Sequence, residues 1–291
     1  MDNKSPKKPN WIKAKASASS GFENTLNVVK TNGIHTVCED AMCPNISECW
    51  KNKTATFLIM GNICTRACGF CNIATGHPQT INPAEPYNIA KSINDLCIKH
   101  AVITSVTRDD LSDGGASCFV DVIVQIRNMC KEVKIELLTP DFQGNSESIR
   151  TIVNAKPDVF GHNLEVARRL HESVKKHPAD YDTSLEILKY IKKIDKNVVT
   201  KTGIMVGIGE EKAEVMALID EANSAMVSIL TIGQYLAPTN RNIQVERYVH
   251  PDEFAEYEEH GKKVGINVIA GPFVRSSYKA REAYDSICNF I

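Results

Sequence analysis

From residue 56 onward the chain alternates between two textures: short apolar runs rich in β-branched residues, and longer stretches whose apolar positions recur at helical spacing. The runs at 56–60, 101–106, 134–138, 159–160, 198–206 and 226–232 predict strands, and the stretches at 86–100, 116–131, 146–154, 184–194 and 211–222 predict helices between them. Such repetition predicts an α/β fold on a parallel sheet, and the number of units fits a partial (β/α)6 TIM-like barrel better than a full eight-unit one. Ahead of it, residues 22–31 have the spacing of a short amphipathic helix, followed by a loop that contains Pro44 and ends near Trp50. Behind it, a helix at 251–264 and a strand at 267–270 lead to a polar segment near the C-terminus. The expected division is an N-terminal extension at 1–54, a barrel at 55–245 and a C-terminal extension at 246–291.

The 291 residues are 43% hydrophobic, ample for a buried core. Lys and Arg number 34 against 35 Asp and Glu, a formal charge of −1, so no global field argues for nucleic acid or an anionic membrane as partner. No segment approaches the ~20 continuous apolar residues that span a bilayer, and the first residues lack the apolar core of a signal peptide; the cytoplasm is the expected compartment. Residues 1–15 carry Lys4, Lys7, Lys8, Lys13 and Lys15, interrupted by Pro6 and Pro9. They read as a solvated tail, with a docking arm for an acidic protein as the alternative.

Composition changes the picture most through cysteine. Six of the ten cysteines form two triads, Cys38-x4-Cys43-x5-Cys49 and Cys64-x3-Cys68-x2-Cys71. In a reducing compartment, thiols at motif spacing bind metal or do chemistry more often than they form disulfides. Cys97, Cys118, Cys130 and Cys288 are isolated and read as ordinary buried thiols. Three thiolates in one loop suit a four-iron cluster whose fourth iron stays open to a substrate. A structural zinc site needs a fourth protein ligand, for which His77 is the nearest candidate. The second triad directly follows the first barrel strand, at the strand end where parallel barrels carry their functional loops. The first triad lacks a fourth ligand as well; either it too has an open iron or a ligand arrives from elsewhere in the chain.

C-x3-C-x2-C with Phe70 before its last cysteine resembles the signature of the radical S-adenosylmethionine (SAM) enzymes. With C-x4-C-x5-C upstream and Arg275-Ser276-Ser277-Tyr278 near the C-terminus, the chain resembles the lipoyl synthases. The likeness runs through residues 8–11, 136–144, 162–165, 201–210, 231–235 and 271–278, covering nearly the whole chain. It implies a [4Fe-4S] cluster on Cys64, Cys68 and Cys71 that binds SAM, and an auxiliary [4Fe-4S] cluster on Cys38, Cys43, Cys49 and a serine of the C-terminal segment, Ser277 ahead of Ser276. It further implies insertion of two sulfur atoms at C6 and C8 of an octanoyl group carried on a lysine, with the auxiliary cluster as sulfur donor. The partners it implies are octanoylated lipoyl carriers, namely 2-oxoacid dehydrogenase E2 subunits and the glycine cleavage H protein, an electron donor such as flavodoxin or ferredoxin, and an iron-sulfur carrier for cluster repair.

Further cofactor-binding candidates lie where strands end. Gly207 and Gly209 follow a strand and allow a backbone to approach SAM, although a lone Gly-x-Gly is more often a tight turn. Asp109 is an acceptor for the SAM ammonium or a helix cap. Asn163 and Glu165 suit ribose hydroxyls. Arg275 suits a carboxylate or is a surface charge. Two other functions stay open: a radical SAM enzyme whose auxiliary cluster transfers electrons or serves another sulfur insertion, and a metal-binding structural or electron-carrier module without SAM chemistry.

Overall fold

The computed structural model describes residues 6–13, 20–52, 54–174 and 180–288. The chain divides into two compact units: one comprises Ala14–Arg66 and Ile73–Phe160, the other Met1–Lys13, Ala67–Asn72 and Gly161–Ile291.

The first unit opens with α1 (Ser20–Thr31) and β1 (His35–Thr36), then α2 (Val37–Asp40) and α3 (Ile46–Lys51), and β2 (Thr56–Ile59), which pairs antiparallel with β1. The segment expected to be a loop therefore holds two helices. They are too short, at 4 and 6 residues, for periodicity to reveal them. Thr36 caps α2 by accepting from Glu39 N, and α3 packs on α1, burying Trp50 completely against Phe22 with ring centroids 5.2 Å apart. Next come the paired two-residue strands β3 (Ile63–Cys64) and β4 (Ala74–Thr75), α4 (Glu85–Asp95), β5 (His100–Ser105), α5 (Ala116–Met129) and β6 (Lys134–Leu138). A 3-10 turn (Phe142–Gly144), α6 (Ser146–Asn154) and β7 (Val159–Gly161) complete it. Strands β2, β5 and β6 run parallel in that order. All four residues of β2 and the first five of β5 are buried, as expected when a parallel sheet is covered on both faces.

The second unit continues through a 3-10 turn (Arg168–Leu170), α7 (His171–Val174), α8 (Tyr181–Ile194), β8 (Val199–Val206), α9 (Lys212–Ser224), β9 (Ile229–Gln234), α10 (Pro251–Val264), β10 (Asn267–Gly271) and α11 (Ala280–Cys288). Strands β8, β9 and β10 are parallel neighbours, so the strand after α10 adds to the sheet beside β9. Local chemistry sets the helix ends. Asp180 accepts from Thr183 N at the start of α8, Glu211 and Glu214 form a capping box on α9, and α10 runs from Pro251 to a left-handed Gly265 (φ 96°). A core that includes Leu164, Leu188, Val206, Leu218, Leu230 and Tyr257 fills this unit.

Several expectations need correction. The helix expected over 86–100 ends at Asp95, because Cys97 takes a left-handed turn (φ 54°) and His100 already belongs to β5. The strand expected from 226 begins at Ile229; Met226 is left-handed too (φ 58°) and 58% exposed. Cys97 is exposed and Cys118 and Cys130 are half-buried, and the side chain of Cys288 lies outside the described residues. In the Lys-rich head, Ile12 is buried and Trp11 meets His250 edge-on at 5.0 Å, so that portion is packed; Lys4 and Lys15 lie outside the described residues. Among the described residues, no helix is long and apolar enough to cross a membrane.

Candidate active site

The first cysteine triad is carried by the two short helices. Cys38 lies in α2, Cys43 in the turn after it, and Cys49 in α3, with Cys43 N donating to Cys38 O at 3.1 Å and Cys49 N to Asn45 O at 2.9 Å. Burial pushes the Cys38 thiol up to about 11. Burial, and then repulsion from Cys38 and Cys43, pushes the Cys49 thiol up to about 12. Buried thiols such as Cys38 and Cys49, side by side, resist becoming anions together unless a cation shares the space. Among the described residues no His, Cys, Asp and Glu side chains are grouped to hold a single metal ion. A cubane takes one thiolate per iron, so its ligands need not converge on one point.

Cys64 ends β3. Its Sγ accepts from two backbone N–H groups, those of Arg66 at 3.4 Å and Thr107 at 3.3 Å. Next to it, Thr65 N and Oγ1 both donate to Thr107 O, at 3.1 and 3.0 Å, and Asp109 N donates to Thr65 Oγ1 at 3.1 Å. The Arg66 guanidinium is 8% exposed as a residue and grips two carboxylates: Nε and Nη2 bond Asp109 at 2.7 and 2.8 Å, and Nη1 and Nη2 bond Asp141 at 2.6 and 2.8 Å. Burial opposes its charge, but the hydrogen bonds to both aspartates outweigh that and raise its pKa. Asp109 also accepts from Gln143 Nε2 at 2.9 Å and Thr65 Oγ1 at 3.2 Å. Its carboxylate is thus engaged by protein donors, and burial notwithstanding it is held below the usual carboxylate range. Nearer the start of the barrel sequence, Glu85 accepts from Met60 N at 2.7 Å and Gly61 N at 3.4 Å, tying the end of β2 to the start of α4. A polar cavity of about 370 Å³ lies beside this network, lined by Thr107, Arg108, Asp109, Gly114, Gln143 and Asn145 among others.

Cys68 and Cys71 belong to the second unit, where the loop carrying them is pinned through its backbone. Gly69 N donates to Val174 O at 3.0 Å, and Gly69 O accepts from Ile243 N at 3.1 Å. The Asn242 side chain donates to Gly69 O at 3.3 Å and Cys71 O at 2.9 Å. Phe70 packs with Val174, Tyr235 and Ile243, so the aromatic before the last cysteine anchors the loop in a small core. Where β7 ends, Asn163 exchanges hydrogen bonds with Ser276 Oγ at 2.8 and 3.1 Å. Glu165 adopts a left-handed φ of 71°, held by Glu165 N to Gly203 O and Met205 N to Glu165 O.

The glycines after β8 have unequal tasks. At Gly207 a Cβ would lie 2.1 Å from Gln234 Nε2 and 2.4 Å from Arg247 O, and its N–H is taken by the Glu210 carboxylate at 2.7 Å. Protein therefore crowds Gly207. Gly209, at φ 114°, would meet only Glu246 Cγ at 3.7 Å. In β9, a Cβ on Gly233 would meet Val274 O at 2.0 Å; only glycine lets the C-terminal segment lie so close. Arg275 Nη1 donates to Val274 O at 2.6 Å, and Ser277 is half-buried. Sequence reasoning missed Arg66, Asp141, Gln143 and Asn242 as supports. The signal for Arg66 was its place inside the cysteine motif, whereas Asn242 lies 171 residues from Cys71 and offered none.

A family model described as the radical SAM superfamily matches residues 58–222. A curated lipoyl synthase from Rubrobacter xylanophilus (strain DSM 9941 / JCM 11954 / NBRC 16129 / PRD-1) is 46% identical over 276 residues, covering 94% of this chain and 86% of that protein. Among solved structures, the [FeFe]-hydrogenase maturase HydG matches with a TM-score of 0.59 at 14% identity over 93% of this chain and 67% of its own. Streptococcus suis SuiB bound to S-adenosylmethionine matches at a TM-score of 0.57 and 11% identity over 78% of this chain, which spans 53% of SuiB. These last two likenesses speak for the fold, an α/β TIM-like fold with a mostly parallel sheet. Membership of the superfamily implies a [4Fe-4S] cluster and SAM, and the residues present fit: Cys64 Sγ stands at the focus of two backbone donors, the setting of a cluster thiolate. With the radical SAM model matched over more than half of its length and its sequence shared almost end to end with a lipoyl synthase, the chain belongs to the lipoyl synthase family of radical SAM enzymes.

Proposed function

We propose that this enzyme inserts two sulfur atoms, at C6 and C8, into an octanoyl group amide-linked to a lysine of a lipoyl carrier protein. When bound, a [4Fe-4S] cluster on Cys64, Cys68 and Cys71 together with SAM would supply a radical able to take hydrogen from an unactivated carbon, and a second on Cys38, Cys43, Cys49 and Ser277 would supply sulfur. The observation that carries this reading is the second group of thiols. Cys43 stands near enough to Cys38 and to Cys49 to push both of those thiols up, over and above the triad that superfamily membership requires.

Ser276 supports the choice of Ser277 as the oxygen ligand, because the Ser276 hydroxyl is already engaged with Asn163. Asn163, Glu165, Gly209 and Arg275 are our candidates for direct contact with SAM, while Phe70, Gly207 and Asp109 support it by fixing the loops that carry or flank them. The substrates in this reading are octanoylated E2 subunits of 2-oxoacid dehydrogenases and the glycine cleavage H protein. Flavodoxin or ferredoxin would deliver electrons, an iron-sulfur carrier would restore the spent cluster, and the compartment would be the reducing cytoplasm, where these thiols stay free.

The test is mass spectrometry of an octanoyl-lysyl peptide incubated anaerobically with reconstituted protein, SAM and a strong reductant. Addition of two sulfurs, with a one-sulfur species at early times, is the expected result. Release of 5′-deoxyadenosine with an unmodified peptide would send the search to another substrate.

A further inference from the structure

We infer that Arg66 is a positioning residue for the radical-generating cluster, acting through the two backbone N–H groups that converge on Cys64 Sγ. The inference rests on the reading that Cys64, Cys68 and Cys71 hold that cluster, and it adds what sets the electronic character of the bound group.

The geometry has two layers. The inner one is the pair of donors: Arg66 N and Thr107 N reach Cys64 Sγ from two different stretches of chain, at 3.4 and 3.3 Å. Neither donor is held by regular secondary structure, since residue 66 lies beyond β3 and residue 107 beyond β5. Something else must keep both aimed at one sulfur. The outer layer does so. Arg66 forks onto Asp109, two residues past Thr107, through Nε and Nη2, and onto Asp141 through Nη1 and Nη2. Thr65 closes the clasp from the other side by donating to Thr107 O and accepting from Asp109 N. The stretch 64–66 is thereby latched to the stretch 107–109 by side chains at both ends. The carbonyl of Arg66 is held as well, accepting from Thr75 Oγ1 at 3.2 Å.

A planar guanidinium with four directed bonds defines distance and angle together, which an ammonium cannot do. The four bonds range from 2.6 to 2.8 Å and the side chain is 5% exposed, so solvent does not loosen them. Hydrogen bonds to a cluster thiolate draw charge from the sulfur and stabilise the reduced cluster, one of the ways a protein tunes such a group. Arg66 thus raises the reduction potential of the cluster without touching it. A merely structural arginine would hold the fold and leave that potential alone.

The experiment is an EPR-monitored redox titration of the full-length, reconstituted protein, taking the signal that SAM perturbs as that of the cluster with the open iron. Arg66→Lys keeps the charge and loses the fork. The expected result is a midpoint potential shifted to more negative values, with iron and sulfide content retained. An unchanged midpoint in a protein that holds its cluster overturns the inference. If Arg66→Lys loses the cluster, Thr65→Val decides: it removes the Thr65 Oγ1 bonds to Thr107 and Asp109 and leaves the guanidinium in place. A negative shift in Thr65→Val supports the inference; an unchanged midpoint, or cluster loss from a protein still folded by circular dichroism, overturns it. Wild-type protein with no SAM-sensitive cluster signal would instead remove the underlying reading of the cysteine triad.

Discussion

The side-chain amide of Asn242 donates to the carbonyl oxygen of Cys71 at 2.9 Å and to that of Gly69 at 3.3 Å, while its own Oδ1 accepts from Thr239. One residue thus stitches the C-terminal half of the cysteine motif to a distant loop. Asn242→Ala removes all of these bonds and leaves part-buried carbonyls without that donor, at a cost of about 1–3 kcal/mol. We expect a lower denaturant midpoint together with reduced iron retention on dilution, while Gln244→Ala, whose amide donates to Asn240 and Asn242 carbonyls outside the motif, keeps its iron. Equal iron retention in the two variants would mean that the loop is held by other contacts.

Neighbouring serines should part company. Ser276→Ala loses the hydrogen bonds with Asn163, worth roughly 1 kcal/mol each, and should leave both clusters in place. Ser277→Ala should lower the iron content assigned to the auxiliary cluster while SAM cleavage continues. Cys68→Ala should abolish SAM cleavage itself. Full lipoyl formation by Ser277→Ala would refute its assignment as a ligand.

Gly233→Ala is expected to be costly although the change is a single methyl group. The new Cβ would fall 2.0 Å from the carbonyl oxygen of Val274, which is backbone and cannot rotate away. Overpacking of this kind costs about 1–3 kcal/mol and here would displace the segment that carries Arg275, Ser276 and Ser277. Urea unfolding measures the first effect and product formation the second. Val124→Ala, at a 47% exposed position, is the control and should stay within about 0.5 kcal/mol of wild type.

Asp158 links acid sensitivity to the start of β6. Burial pushes its carboxyl up, but hydrogen bonds from Arg127, from Ile135 N and from Lys134 outweigh that and hold it below its ordinary value of 3.8. The unfolded chain therefore binds this proton more readily than the folded one. The stabilisation is complete above the unfolded value and is lost as pH falls below 3.8 through the folded value. Asp158→Asn should flatten the acid limb of stability against pH in that window and leave its slope near neutrality unchanged. An acid limb identical in both proteins would rule out the link.

Local pattern alone was enough for much of this protein. The strand at Lys134–Leu138 and the helices Ser146–Asn154 and Pro251–Val264 follow the residues predicted, because each combines a clear periodicity with capping or turn chemistry inside its own segment. The radical SAM motif, and with it the class of chemistry, was legible for the same reason: the spacing of its cysteines is a property of contiguous chain. Where short-range signals fell silent, reading failed. The helices at Val37–Asp40 and Ile46–Lys51 are shorter than two turns, and left-handed turns at Cys97 and Met226 moved two element boundaries without a glycine to announce them. What only the tertiary structure decided is how distant residues share one task. Asp109 and Asp141 meet on Arg66 across 43 and 75 residues, Asn242 reaches Cys71 across 171, and Ser276 reaches Asn163 across 113. Hydrogen bonds and ion pairs are made by proximity in space. Sequence spacing encodes proximity only within an element, and the packing of strands and helices supplies the rest.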